Sequence, residues 1–309
     1  MEGNAMANRV EDSEGQRRGS GKAKRRNRWQ GYLFVGPALL VLMVTSIIPI
    51  IYVVWMSFHR ETPSGESSFA GLSNFRQLFH DTLFFKSIGN TLVYTFASAA
   101  LGLSAALVLA ALLSRNVKGS KWFQILFFLP SVTSEVVTAM MFLWLLDYNF
   151  GLFNYVAEKT GFERVQWLLD PELAMLSVVL VGAWRGASYN TPIFLSAIQN
   201  IPGDLYEAAS IDGAHAVQKF FRITVPMIVP ILSYTIIMAF IGSFQMVAIV
   251  DILTNGGPLD STMVTLKYIW RQGFEFNNLN YAATLSLGLL PILFLITWIQ
   301  MKFSDRRAQ

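Results

Sequence analysis

Six long apolar segments, separated by polar ones, dominate the pattern along the chain. Within all six, the only charged side chains are Glu135 and Arg185. Each segment exceeds the roughly 20 residues that a helix needs to cross about 30 Å of hydrocarbon. Backbone groups in lipid must be hydrogen-bonded internally, so uninterrupted segments of this length predict helices rather than barrel strands. The predicted spans cover residues 32–58, 87–114, 122–146, 173–200, 223–250 and 277–301.

The composition agrees with an all-α polytopic membrane protein whose six transmembrane helices occupy residues 31–305. The 309 residues are 53% hydrophobic and 14% charged, whereas soluble domains carry about 25% charged residues. There is no cysteine, and the three histidines are scattered, which excludes a disulfide framework and a thiolate metal site. Without an H-E-x-x-H or G-x-S-x-G motif, neither a metal site nor an intramembrane enzyme is predicted.

A basic tail precedes the first span. Residues 1–30 hold eight of the 24 Lys and Arg residues, and we expect this segment to be disordered, cytoplasmic and in contact with anionic lipid rather than nucleic acid. If the N-terminus is inside, the inner segments together carry sixteen Lys and Arg residues and the outer ones seven. This bias predicts that both termini face the cytoplasm.

The segment between the fourth and fifth predicted spans, residues 202–226, is polar and contains turns; we call it the coupling loop. Asp204 is placed to cap a short helix, with Glu207 three residues later completing a capping box. Gly213 is suited to the left-handed position that ends such a helix, and a second short helix is predicted from about Ala214. This pattern favours either a pair of surface helices gripped by another protein or an interfacial elbow without a partner.

The coupling loop also carries a recognisable motif. Glu207-Ala208-Ala209 is followed after three residues by Gly213 and after nine more by Ile223-Thr224-Val225-Pro226. This spacing resembles the EAA loop of ABC importer permeases, with Val225 where the family usually has leucine. Leu205-Tyr206 and the distal residues 253–258 resemble the sugar-importer, maltose-type subfamily. The resemblance extends over about residues 30–305.

The resemblance implies a type I ABC importer permease architecture in a bacterial inner membrane. Two homologous permease subunits form the pore as a heterodimer, an ABC ATPase dimer docks below them, and an extracytoplasmic solute-binding protein delivers a carbohydrate. The chain has no G-x-x-x-x-G-K-[ST] phosphate loop. It is therefore expected to be a non-catalytic transport subunit without a cofactor of its own, since the partner ATPase binds ATP and Mg. The implied ATPase-coupling residues are Glu207, Ala208, Ala209, Asp212, Gly213, Ala214 and Phe220.

A substrate pathway is predicted on the two spans that flank the coupling loop. Small, polar and aromatic residues recur there at helical spacing on one face of each span, and groups of this kind at membrane depth are functional candidates. The resemblance implies that these faces line a sugar site, although Gly242 and Met246 stand where aromatic or amide side chains are expected. The candidates are Gly182, Arg185, Gly186 and Tyr189 in the fourth span and Ala239, Gly242, Ser243 and Met246 in the fifth.

Arg185 has two interpretations at the level of sequence. It could donate to sugar hydroxyls or neutralise an acidic substrate, or it could form a structural ion pair with Glu135 in a neighbouring span. The predicted function is half of the pore of an ATP-driven carbohydrate importer that works by alternating access. The alternative is a stand-alone secondary transporter driven by an ion gradient, for which Glu135 is the only candidate coupling carboxylate.

Overall fold

A computed structural model of the chain describes residues 35–61, 67–114 and 119–305. The predicted basic tail, residues 1–30, lies outside this described part. The chain divides into two compact units, with the boundary between Met56 and Ser57, and each unit is considered by itself.

The first unit consists, in its described part, of helix α1 (Val35–Ser57) apart from its last residue. Residues 43–47 form a π-helical turn in which the Ile48 N–H donates to the carbonyl of Met43. The next residue, Pro49, has no N–H to offer the preceding turn, and a π turn is one way in which a helix accommodates this loss. The first predicted span is therefore a single helix.

The second unit contains a short β-hairpin and twelve helices among its described residues. In the hairpin, β1 (His59–Glu61) pairs antiparallel with β2 (Ser67–Phe69), with His59 opposite Phe69. This short hairpin is an addition to a fold that is otherwise helical, as the sequence predicts. The helices are α2 (Ser73–Phe79), α3 (Thr82–Leu113), α4 (Ser120–Val132), α5 (Glu135–Leu145), α6 (Leu152–Lys159), α7 (Pro171–Gln199), α8 (Gly203–Ile211), α9 (Ala216–Met227), α10 (Val229–Phe244), α11 (Ala248–Leu253), α12 (Thr265–Trp270) and α13 (Leu279–Asp305). A π-helical turn, Arg271–Glu275, continues α12.

Helices α3 and α7 form the centre of the second unit and pack along much of their length. At Gly102, an added Cβ would lie 2.9 Å from the carbonyl oxygen of Ala183, so glycine is what lets the two backbones approach. Towards the ends of both helices, Ala110, Phe194 and Ile198 pack with Ile228 in one apolar cluster. The bundle is thus built on two long helices with small residues where they touch.

Three described helices are long and apolar enough to cross a membrane by themselves, namely α1, α3 and α13. The fourth predicted span, residues 173–200, is α7, whose 29 residues extend about 43 Å at the helical rise. Helix α7 is less apolar than these three, and thirteen of its residues are buried in the second unit. A helix buried among its neighbours can carry more polar residues than one that faces lipid.

The third and fifth predicted spans are not continuous helices. In the third, α4 and α5 meet at a bend of 102° around Thr133 and Ser134. In the fifth, α9 and α10 meet at a bend of 72° at Ile228, and α10 ends at Phe244 rather than continuing to residue 250. With each bent pair counted as one span, five candidate spans result, and α7 completes the predicted six.

Candidate functional site

A cavity of about 430 Å³ lies between α3, α7, α10 and the break between α4 and α5. Helices α7 and α10 contribute the two faces that the sequence predicts as a substrate pathway. The structure brings all of those residues together around this one cavity. They are Gly182, Arg185, Gly186 and Tyr189 on α7, Ala239, Gly242 and Ser243 on α10, and Met246 just after the end of α10.

Three of the glycines in the cavity wall have different surroundings. An added Cβ at Gly182 would lie 2.1 Å from the hydroxyl oxygen of Tyr94, so this glycine lets the tyrosine ring of α3 lie flush against α7. At Gly186 and Gly242, an added Cβ would meet no atom within 4 Å. These two glycines therefore leave open space in the cavity, and larger residues there would project into it.

Aromatic rings and hydroxyl groups make up much of the cavity wall. Tyr189 and Tyr234 are 62% and 57% exposed, so their rings are available to contact another molecule. The Ser243 hydroxyl donates to the carbonyl of Ala239 at 2.7 Å, which leaves its oxygen free to accept a hydrogen bond. Rings and hydroxyls together are the groups that suit a ligand with apolar faces and many hydroxyls.

Arg185 and Glu135 form an ion pair at the cavity, so the structure gives the second of the two sequence interpretations for Arg185. Glu135 is the first residue of α5, directly after the break that follows α4. The Nε of Arg185 is buried and has no hydrogen-bond partner among the described residues. The pair therefore links α7 to the α4–α5 break.

Sequence reasoning missed the contribution of α3 and the first half of the α10 face. Tyr94 and Ser98 of α3 line the cavity, and their spacing of four residues puts them on one helical face. Tyr234 and Met238 also line it, at four-residue steps before Gly242 on the same face of α10. The periodicity that identified Gly242 could have been followed backwards to find these two, but nothing in the sequence pairs α3 with α7.

The coupling loop folds into α8 and α9, as two short helices joined by a turn. The expected capping box of Asp204 and Glu207 is wrong, because Pro202 occupies the cap position of α8 without a side-chain hydrogen bond. Proline already holds a backbone angle suitable for a helix start, which leaves Asp204 in the first turn. A capping box occurs instead at α9, where His215 and Gln218 bond reciprocally to each other's backbone N–H.

Gly213 ends α8 in the left-handed conformation that the sequence predicts, with φ of +77°. The Ala214 N–H donates to the carbonyl of Ala209 at 2.9 Å, and the Gly213 N–H donates to that of Ser210 at 3.1 Å. These two bonds constitute a Schellman motif. Glycine adopts this conformation without the steric cost that a Cβ brings, so the turn between α8 and α9 depends on it.

The coupling loop presents apolar and charged side chains together on its surface. Ile211 is 87% exposed, Phe221 is also exposed, and α8 has no buried residue. Glu207 is exposed on the same helix. The Tyr206 hydroxyl lies 2.8 Å from the Thr224 hydroxyl, which ties α8 to α9. Exposed apolar side chains on a helix pair held in one geometry are typical of a surface that binds another protein.

The predicted coupling residues occupy different positions on this surface. Glu207 and Ala208 are exposed on α8, Ala209 is half-buried, and Asp212 and Gly213 form its exposed end. The remaining two, Ala214 and Phe220, are half-buried, with the Phe220 ring against that of Phe221.

At the opposite end of α3 and α7, where both helices begin, a polar cluster joins several segments. Lys267 is buried, with Nζ 2.9 Å from Glu275, a second ion pair to Asp251, and the Trp270 ring below it. Nearby, the Tyr268 hydroxyl donates to an Asp81 carboxylate oxygen at 2.7 Å. Burial, with the neighbouring carboxylate as a second cause, raises the pKa of Tyr268 above its usual range. The cluster fixes α12 against α11 and the start of α3.

Comparison with known proteins agrees with this architecture. Residues 98–309 match the family described as "Binding-protein-dependent transport system inner membrane component". The sn-glycerol-3-phosphate transport system permease protein UgpA of Yersinia pseudotuberculosis is 34% identical over 91% of this chain and 96% of its own length. The arabinooligosaccharides transport system permease protein AraP of Bacillus subtilis is 35% identical over 88% of each chain.

Among solved structures, the fold resembles a chain of a bacterial ABC transporter involved in the import of the acidic polysaccharide alginate. The TM-score is 0.79 at 24% identity, covering 91% of this chain and 96% of that one. A second structure of the alginate transporter, in complex with its alginate pentasaccharide-bound periplasmic protein, matches with the same TM-score at 25% identity. On the family match and these relatives together, the chain belongs to the family of inner membrane components of binding-protein-dependent transport systems.

Proposed function

We propose that the chain is one of two permease subunits of an ATP-driven carbohydrate importer and forms half of its translocation pore. The observation that carries the proposal is the position of the coupling loop directly between α7 and α10, the helices that supply both predicted faces of the cavity. A displacement of the coupling loop would therefore move both helices that form these faces of the cavity. The relatives support a carbohydrate or sugar derivative, since AraP is named for arabinooligosaccharides and UgpA for glycerol 3-phosphate.

The coupling loop is proposed to dock on an ABC ATPase through α8 and its Gly213 turn. Glu207 and Ala208 face outwards on α8, and Ile211 exposes an apolar side chain beside them. ATP and Mg are bound by the ATPase, and this subunit performs no catalysis. ATP-driven closure of the ATPase dimer would then move α7 and α10 together and expose the cavity to alternate sides of the membrane.

Two further partners are proposed, a second permease subunit at the open side of the cavity and a solute-binding protein at the outer end of the helices. Tyr189, Tyr234 and Met238 are exposed at the cavity, and we assign this side to a second, homologous permease subunit. The bias of basic residues supports both termini and the coupling loop on the cytoplasmic side. The opposite end, around α12, would then receive a solute-binding protein, in line with the periplasmic protein bound in the alginate transporter structure.

A secondary transporter driven by an ion gradient is a weaker alternative. It needs an acidic residue in the pore that gains and loses a proton or binds an ion. Glu135 is the only acidic residue among the described side chains that line the cavity, and it is paired with Arg185. Arg185 therefore already supplies the counter-ion of this carboxylate. Membership of the binding-protein-dependent family also favours the importer.

The proposal is tested by Gly213→Pro, with Gly161→Pro as a matched control. Both glycines have positive φ and free space around them, and both donate their backbone N–H to a carbonyl, so proline disturbs each turn in the same way. Gly213→Pro is expected to insert in the membrane at normal levels but to lose co-purifying ATPase and uptake. Gly161→Pro, at the end of α6, is expected to keep the ATPase. Normal ATPase recovery with Gly213→Pro would contradict the coupling role.

A further inference from the structure

The cavity wall supplied by this chain carries no net charge. Among the described residues that line it, only Arg185 and Glu135 are charged, and they are paired with each other. Their side chains are 27% and 39% exposed, so solvent screens the pair only in part. A lone arginine at this depth would attract anions strongly, because the surroundings have a low dielectric constant. Glu135 removes that attraction.

Space for a ligand lies directly beside the ion pair. Gly186, the residue after Arg185, has no atom within 4 Å of where a Cβ would be. The exposed ring of Tyr189 lies one helical turn further along α7. A neutral guanidinium–carboxylate pair and an aromatic face therefore border one open volume.

We propose that the Arg185–Glu135 pair makes this wall a site for uncharged, polyhydroxylated ligands. Glu135 cancels the charge that would recruit a carboxylate or phosphate, and the exposed Tyr189 ring offers an aromatic face to the apolar side of a sugar. The inference rests on the proposed function, because it names the substrate class of the same cavity. It places this chain with permeases of neutral sugars rather than with those of glycerol phosphate or acidic polysaccharide.

The absence of cysteine from the chain allows the charge of the cavity to be measured directly. Gly186→Cys introduces a single thiol where there is room for it. Its reaction rates with an anionic sulfonatoethyl and a cationic trimethylammonioethyl methanethiosulfonate are compared in the assembled complex without ATP. With the native pair, the rate ratio is expected to stay near that of a small thiol in solution. Adding Glu135→Gln is expected to raise the anionic-to-cationic ratio about tenfold, equivalent to about 1.4 kcal/mol.

Two further variants separate the effect of charge from misfolding. Arg185→Gln leaves the Glu135 carboxylate without its partner, so the cavity wall becomes negative and the anionic-to-cationic rate ratio is expected to fall. Unfolding would not change the ratio in opposite directions for the two variants. Glu158→Gln is the matched control, because Glu158 forms an exposed ion pair with Arg164 outside the cavity. That control is expected to leave the ratio unchanged. Equal shifts for Glu135→Gln and Glu158→Gln, or no shift for either, would overturn the proposal.

Ligand probes complete the test. Glucose and glucuronate differ in that glucuronate carries a carboxylate. Each is added while the Gly186→Cys thiol reacts with uncharged methyl methanethiosulfonate, and a sugar that occupies the cavity slows this reaction. Glu135→Gln is expected to increase the protection given by glucuronate relative to that given by glucose. Unchanged relative protection would refute the role of Glu135 in selecting uncharged ligands. Because no step uses ATP, this outcome is independent of whether an ATPase binds the coupling loop.

Discussion

Two glycines one turn apart on α7 provide a direct test of how the cavity wall is packed. At Gly182, an added Cβ would lie 2.1 Å from the hydroxyl oxygen of Tyr94 and 2.8 Å from the adjacent ring carbon. At Gly186, the same methyl group would meet nothing within 4 Å. Gly182→Ala must therefore displace the buried Tyr94 ring, whereas Gly186→Ala displaces nothing. The two positions lie in the same helix but differ in how closely a neighbouring side chain packs against them.

The expected magnitude follows from this comparison. Each substitution gains about 1 kcal/mol of helix propensity, since alanine replaces glycine in a helix interior. Forcing an extra methyl group into a packed site costs about 1–3 kcal/mol. Because the propensity gain is common to both variants, their difference isolates the packing cost. Gly182→Ala is expected to be less stable than Gly186→Ala by about 1–3 kcal/mol.

The assay compares thermal unfolding of the two variants in the same detergent, followed by uptake in cells. Gly182→Ala is expected to unfold at a lower temperature and to transport less, because the displaced Tyr94 ring moves within the cavity. Gly186→Ala is expected to match or exceed the native protein in stability. Equal unfolding temperatures for the two variants would refute the close contact between Tyr94 and Gly182.

Two other substitutions test separate parts of the account. Gly186→Trp fills open cavity space and is expected to abolish uptake, while ATPase association, measured by co-purification, stays normal. Normal uptake by this variant would show that the substrate does not pass through the cavity. Lys267→Met leaves two carboxylates without their partner; because both are more than a third exposed and solvent screens them, a loss of about 1 kcal/mol is expected. Limited proteolysis between α11 and α13 should then increase, and an unchanged cleavage pattern would contradict the structural role of Lys267.

The sequence predicted the cavity face of α7 well because helical periodicity places residues on a face without tertiary information. Gly182, Arg185, Gly186 and Tyr189 recur at three- and four-residue steps, and all four line the same cavity. The Gly213 turn was predictable for a similar reason, since only local backbone conformation is involved. Features that depend on one segment alone can be derived from the sequence of that segment.

Features that depend on two distant segments could not be derived in this way. The choice between a substrate-binding Arg185 and one paired with Glu135 was open, because the residues lie 50 positions apart and periodicity does not say which spans are neighbours. The contribution of Tyr94 was missed for the same reason. The exact place of the α4–α5 bend is a further feature of this kind, because Pro130 lies inside α4 and the chain turns only at Thr133 and Ser134.

The cap of α8 shows a local prediction that failed. Asp204 and Glu207 have capping-box spacing, but Pro202 already provides the required backbone conformation two residues earlier. The helix therefore starts before Asp204 can act as its cap. The reciprocal pair His215 and Gln218 caps α9 instead, in a combination that departs from the usual serine or threonine followed by glutamate. Side-chain spacing alone does not decide between competing helix starts.

The central claim is that energy enters this subunit through the coupling loop from a separate ATPase. It is tested most directly by reconstituting the chain in liposomes with its second permease subunit, ATPase and solute-binding protein, and measuring uptake of the ligand held by that binding protein. The account predicts uptake that requires ATP and the ATPase and is lost with Gly213→Pro. Uptake by the permease subunits alone, driven by a proton or sodium gradient without ATP, would contradict it.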